Sequence, residues 1–453
     1  MIDPPEPAAP RDATAASWHG LAVLTLITLF ALVDRRVFVL LAEPIKHDLA
    51  LSDLQLGLLQ GIGLAMFAIV VTYPIGWLAD RYDRRYILAG CISVWCLAVI
   101  SCGFAHGFGQ LFVTSAVVGA GEAGLTPIAF AIIPLLFYGP RRQLANSVYT
   151  IFTTLSVGLA IALCGYLIAF VDIVRPFLPG SLRHLESWRL SFMAAGLPGP
   201  IFAALLLSVR LPTERTVPVK SINPAPSVDD VSLYVFVRRN WLTVGSFFLG
   251  LGFAVMGFAA ITTWLPIAAM RQFAATPIEV GNDFAAVIVI TAIIGLVFTG
   301  FGAPILARRF GVVMPILVLT IATFGAAGAI VFILRATDTR WLFILYGLHA
   351  MFAAAGSMLY PTALQDISPS HLRARMASLN LVVTFSFSAL GPALVGLASD
   401  LMPHHPGSIM MAIVAVGVSG LLVSGVLLLI CCRHYPATLS AVRLGSRATP
   451  SAL

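Results

Sequence analysis

The chain has 453 residues, 59% of them apolar and 10% charged, with a mean hydropathy of +0.95. Aqueous domains are about 45–50% apolar and about 25% charged, so the composition excludes a soluble enzyme, and the density of Phe, Leu, Val and Ile excludes a disordered chain. The net charge of +7 sits in short turns between apolar runs, where anchoring on an anionic leaflet explains it better than nucleic acid does.

In chain order, residues 1–16 are polar and Pro/Ala-rich and read as a cytoplasmic tail without the basic start and cleavage site of a signal peptide. Apolar helices follow at about 18–41, 54–79, 86–105, 110–136, 145–170 and 188–209. A second set is expected at about 241–268, 281–303, 312–334, 341–365, 376–399 and 408–432. The fold class is therefore an all-α polytopic membrane protein with twelve transmembrane helices in two six-helix halves. The expected units are bundles at 17–211 and 241–432, a polar Pro/Ser-rich linker at 212–240 carrying Asp229 and Asp230, and a tail at 433–453.

With the N-terminus inside, 18 of the 27 Lys and Arg residues fall in cytoplasmic segments and 7 in opposite ones. That bias predicts both termini in the cytoplasm. Arg35 and Arg36 are the remaining two, inside the first helix. Six cysteines, Cys91, Cys96, Cys102, Cys164, Cys431 and Cys432, lie in or at the ends of apolar runs and make no metal-ligand set; they read as small buried side chains.

Two acids stand where charge is expensive. Asp34 in helix 1 and Glu122 in helix 4 fall at similar depths near mid-membrane, where each costs several kcal/mol against lipid. Both are expected to face an aqueous path or a partner, and burial suits a carboxylate to carry protons near neutral pH. Arg35 and Arg36 follow at about 100° steps around the helix, so at most one shares the face of Asp34, and the other is free to snorkel outward. The alternative is a structural pair of Asp34 with Arg35 or another base.

The turn after helix 2, Gly76-Trp-Leu-Ala-Asp80-Arg81-Tyr-Asp83-Arg84-Arg85, reads as a polar cytoplasmic latch. Gly76 permits a close helix approach, and Asp80 is placed to bond helix-end amides or an arginine. Its counterpart after helix 8 keeps Gly302, Arg308 and Arg309 but has Ala307 where an acid is expected, so the two latches are expected to be unequal.

On these motifs the chain resembles the major facilitator superfamily of secondary transporters. Within it the chain resembles the spinster-like branch, through Asp34-Arg35, Leu51-Ser-Asp-Leu-Gln-Leu-Gly-Leu-Leu, Gly119-Ala-Gly-Glu122-Ala-Gly-Leu-Thr-Pro127, Trp264-Leu265-Pro266, and Gly391-Pro392 followed by Gly396 and Asp400. The resemblance implies alternating access, a cavity between the halves, and proton coupling or gating at Asp34 and Glu122. It also implies a cargo class that includes lysolipids and sphingosine-1-phosphate. The branch usually carries an arginine where this chain has Ser115, so Arg35 or Arg36 replaces that charge or the coupling differs.

Helical position suggests Phe30, Ser115, Thr126, Tyr149, Thr153, Ser156, Thr263, Trp264, Met358, Tyr360 and Gln365 as cavity contacts, with helix packing as the alternative for each. The favoured reading is a proton-coupled secondary transporter moving a lipid-like amphiphile across a bacterial inner membrane. It is expected to act as a monomer, with the lipid bilayer and a small-molecule or lipid substrate as partners, no nucleic acid, no metal and no cofactor beyond the proton gradient. Alternatives are a proton-coupled or uniport carrier of small organic anions, sugars or drugs, and a transporter-shaped sensor or channel. No Gly-x4-Gly-Lys-Ser/Thr signature supports an ATP-driven pump, and no convergent catalytic set supports an intramembrane enzyme.

Overall fold

The computed structural model describes residues 14–137, 139–211, 232–357, 359–369, 372–402, 405 and 407–447. The tail at 1–13, most of the linker with Asp229 and Asp230, Met358, and the side chain of Asp80 lie outside that description. Among the described residues the secondary structure is helical. Eleven helices are long and apolar enough to cross a membrane. The first helix, 26 residues and about 39 Å long at 1.5 Å per residue, is long enough to be the twelfth.

The helices are α1 (Ala15–Leu40), α2 (Asp53–Ala79), α3 (Arg84–Cys102), α4 (Phe108–Leu136), α5 (Arg141–Phe177) and α6 (Ser187–Leu207). After the linker come α7 (Trp241–Phe273), α8 (Pro277–Val297), α9 (Met314–Ile330), α10 (Thr339–Asp366), α11 (Arg375–Asp400) and α12 (Ser408–Val442). In the first set α3 packs on α4 and α6, and α1 on α5; in the second α7 packs on α11 and α12, and α9 on α10 and α12. The helices are apolar nearly all round, as bilayer solvation allows.

Several spans are interrupted where small residues or proline weaken the backbone ladder. A π-helical turn, Leu59–Gly63, sits inside α2, and another, Phe298–Gly302, continues α8. The helix in α4 stops at Glu122 and restarts at Leu125, so the mid-span acid stands at a break. Such interruptions concentrate where a chain must expose or re-aim polar groups.

The two sets touch each other along α2–α11 and α5–α8. The closest approaches lie from mid-helix to the end remote from the linker, here the far end. A Cβ on Gly57 would run into the Pro392 carbonyl oxygen and come within 2.8 Å of the Ala393 Cα. One on Gly396 would strike the Asp53 carbonyl oxygen, and one on Gly165 would lie 2.5 Å from that of Pro277. At the linker end the opposite holds. Gly76, the glycine expected to mediate close approach in the latch, has nothing within 4 Å of where its Cβ would be. Among the described residues, the tightest backbone approaches between the sets gather from mid-helix to the far end.

Candidate functional site

The polar centre of the first set is built on α1. Asp34 is 1% exposed and points into the bundle. Its Oδ2 accepts the Trp95 indole N–H from α3 at 3.2 Å, while its Oδ1 has no hydrogen-bond partner among the described residues. Glu122, also buried, comes from α4. Gly121 brings α4 close enough that a Cβ there would lie 2.6 Å from that of Trp95, which sets Glu122 beside the Asp34–Trp95 pair. The two carboxylates are within electrostatic reach of each other.

Arg35 takes the partner role that sequence reasoning left open. Its Nε donates to Glu122 Oε2 in an ion pair. Its side chain is 49% exposed while that of Glu122 is 2% exposed, so a half-exposed arginine partners a sealed acid. Glu122 Oε1 has no hydrogen-bond partner among the described residues. Asp34 bonds to neither neighbouring arginine among the described residues. Two residues along a helix are about 200° apart, and Arg36 accordingly leaves α1 on the other side. It does not snorkel toward lipid. It lies half-buried in electrostatic reach of Cys164 on α5 and Tyr346 on α10.

Other proposed contacts are placed as follows. Ser115, where the branch carries arginine, is fully buried against α2 and bonds to the Phe112 carbonyl of its own helix at 2.9 Å. Trp264 is fully buried and donates its indole N–H to the Pro392 carbonyl at 2.8 Å, which ties α7 to α11. Phe30 stacks on Phe202 at 4.2 Å within the first set. Tyr149 shares a hydrogen bond with Thr28 at 2.9 Å, and Thr153 donates to the Tyr149 carbonyl at 2.8 Å. Ser156 is buried, Thr263 and Tyr360 are half-buried, and Thr126 and Gln365 are exposed. Packing therefore accounts for the contacts of Ser115, Trp264, Phe30 and Tyr149.

The arginines of the expected latch make separate contacts among the described residues. Arg81 lies over the Trp77 ring at 3.8 Å, and Arg84 opens α3. Asp83, outside the spans, N-caps α3 and pairs with Arg85 at 2.6 Å. That bonded guanidinium holds the Asp83 carboxyl below the usual carboxylate range. Arg85 also donates to the Val209 carbonyl at 2.7 Å, and Arg308 and Arg309 are exposed.

A second charge cluster, at the far end, was not singled out from the sequence. Arg271 at the end of α7 bonds Asp53 through both terminal nitrogens at 2.8 Å and Glu43 at 2.5 Å. Lys46 and Ser399 also reach Asp53, at 2.6 and 2.8 Å. Asp400 of α11 accepts the backbone N–H groups of Asp53 and Leu54 at 3.0 and 2.8 Å, capping α2 from the opposite set. Glu43, Lys46 and Asp53 belong to the first set and Arg271, Ser399 and Asp400 to the second. The signal for this gate was present in the Ser52–Gln55 capping box and the lone acids at the ends of α2 and α11, but charges at helix ends are ordinary.

Comparison with known proteins adds to this geometry. The family model for the Major Facilitator Superfamily matches residues 24–392. An MFS-type efflux pump of Mycolicibacterium smegmatis is 29% identical over 406 residues, which covers 88% of each chain. Protein spinster homolog 3 of Danio rerio is 33% identical over 169 residues, 37% of this chain and 32% of that protein. Among solved structures, a bacterial homolog of the human lysosomal transporter Spinster, in an inward-facing and unoccupied conformation, gives a TM-score of 0.69 at 22% identity. That match covers 97% of this chain and 100% of the other.

Proposed function

We propose that this chain, which belongs to the Major Facilitator Superfamily and is an alternating-access transporter of the spinster-like branch, couples transport to protons and carries an amphipathic, lipid-like molecule. The observation that supports coupling is the pair of sealed carboxylates. Among the described residues Asp34 and Glu122 each keep one oxygen without a hydrogen-bond partner, and Glu122 alone of the two pairs with a cation, the half-exposed Arg35. A buried carboxylate without full compensation costs several kcal/mol when charged, so taking up a proton relieves it. Protonated Glu122 releases Arg35; deprotonated Glu122 recaptures it. In this reading proton occupancy is read at the cleft as the position of one guanidinium.

The lipid-like cargo is supported by the resemblance to the spinster-like branch. The linker end is taken as the cytoplasmic end of a bacterial inner-membrane protein, and the close approaches gathered toward the far end support an inward-facing reading. The test is transport in proteoliposomes under an imposed pH gradient. Asp34→Asn is expected to remove gradient-driven accumulation while leaving folded yield unchanged. Accumulation and pH dependence equal to the unaltered protein would overturn the proton-carrier role.

A further inference from the structure

Gln60 stands where α2 meets the other set. It lies seven residues after Asp53, about 10 Å below the far end of α2, inside the π-helical turn Leu59–Gly63. That turn packs on α11 of the other set and on α4 of its own. Gly57 and Gly61 face α11, since a Cβ on the first would strike the Pro392 carbonyl oxygen and one on the second that of Ala389. Gly63 faces α4, where its Cβ would lie 2.7 Å from the Ser115 hydroxyl oxygen. At about 100° per residue, Gln60 is about 60° from Gly57 on one side and about 60° from Gly63 on the other. It therefore leaves α2 between α11 and α4.

Both polar atoms of the Gln60 amide are sealed from solvent, and neither has a hydrogen-bond partner among the described residues. No other side-chain amide there is sealed and unbonded at both ends. The residue as a whole is only half-buried, so its exposure belongs to its other atoms. That inverts the usual disposition of a long polar side chain, which buries its stem and exposes its tip. Two polar groups at these helix contacts are engaged elsewhere. The Ser115 hydroxyl donates to the Phe112 carbonyl, and the Pro392 carbonyl accepts the Trp264 indole N–H. An amide sealed without partners is costly, and the cost falls on the conformation in which α2 and α11 meet. Once α11 moves off α2, the amide meets water on that side. We infer that Gln60 is a counterweight to the far-end gate: its desolvation penalises the conformation that the Arg271–Asp53 bonds favour, and so keeps the gate able to open. The π turn suits this role, because such turns gather at functional positions where a helix must re-aim a side chain. The inference rests on alternating access, and on neither proton coupling nor the nature of the cargo.

The test is the distance across the far end of the full chain in lipid nanodiscs. Spin labels at exposed His47 and Gln272, with Cys432 replaced, read it. The measurement is made in Arg271→Gln, which weakens the gate and brings the open population into range. Adding Gln60→Met, an unbranched apolar match, is expected to lower the ratio of open to closed far ends about 5- to 100-fold, the cost of sealing an unbonded polar group. Adding Gln60→Glu instead should raise the ratio at neutral pH, because a carboxylate costs more to seal than an amide. A residue that only fills space would not give opposite shifts for two side chains of similar size. With Arg271 intact, Gln60→Met should raise the melting temperature. The counterweight is overturned if Gln60→Met changes the ratio by less than about twofold, which would mean that the amide is satisfied where the sets meet. It is overturned too if Met and Glu shift the ratio the same way, or if Gln60→Met lowers the melting temperature, which would make the amide a structural tie. Distances that lengthen in Arg271→Gln but ignore Gln60 sink the counterweight alone. Distances that never lengthen, in Arg271→Gln or either double variant, sink alternating access at this seam and the counterweight with it.

Discussion

Arg271→Gln should open the far end. The guanidinium joins Glu43 and Asp53 of the first set to α7 of the second through four nitrogen–oxygen bonds of 2.5–2.9 Å. The arginine side chain is 24% exposed and that of Asp53 is 4% exposed, so the site lies between a surface pair and a sealed one. Surface pairs contribute about 0–1 kcal/mol, while breaking a fully buried pair costs about 3–5 kcal/mol. Lys46 and Ser399 continue to bond Asp53 after the substitution, which limits the loss to about 2–3 kcal/mol. All of it falls on the conformation in which the sets meet, because open far ends cannot make these bonds. The ratio of open to closed far ends should therefore rise about 30- to 160-fold. Spin labels at exposed positions His47 and Gln272, with Cys432, the one partly exposed cysteine, replaced, would report the distance distribution. A ratio changed by less than about threefold, under 0.7 kcal/mol, would refute the gate.

Gly57→Val should act in the same direction by sterics, since its Cβ would meet the Pro392 carbonyl oxygen and the Ala393 backbone; an unchanged distance distribution in the same labelled pair would show that α2 and α11 can yield there. Asp83→Ala should lower thermal stability by about 1 kcal/mol near neutral pH, the usual worth of an N-cap. The Arg85 bond holds the Asp83 carboxyl below its ordinary range, so its contribution is full above about pH 4 and is lost as pH falls through the lowered value. The difference between the two proteins should shrink as pH falls below about 4, and a difference that does not change with pH would refute the linkage.

The helices were legible because bilayer solvation demands long apolar runs, and hydropathy finds those directly. Asp34 and Glu122 were legible for the converse reason, as charges inside such runs. Their partners were not. Trp95 reads as one more apolar residue in α3, yet its indole N–H is the donor to Asp34. Helical angle limited the arginines facing Asp34 to one at most, but only packing across α4 decided that Arg35 serves Glu122. Trp264 and Ser115 looked suited to a cavity by type and are taken up by helix–helix and helix-internal bonds. The far-end pairing was not legible even though Asp53 and Asp400 stood in quoted motifs, because Asp53 and Arg271 lie 218 positions apart and each alone is an ordinary helix-end charge.

The two charge systems differ in how completely they are satisfied. At the far end Asp53 has Arg271, Lys46 and Ser399, and both Asp400 oxygens are bonded. Nothing there awaits a ligand, so its energy serves to hold one conformation. At mid-depth Asp34 Oδ1 and Glu122 Oε1 lack partners among the described residues. Unsatisfied groups in a low-dielectric interior cost more than satisfied ones gain, so the centre is the strained part and the gate the stable part. A ligand or proton that satisfies the centre stabilises whichever conformation lets those groups meet it, and it shifts access only if that gain differs between conformations. The gate's strength of a few kcal/mol fixes how large that difference must be. A gate much stronger than the energy released at Asp34 and Glu122 would lock the transporter, and a much weaker one would let it leak.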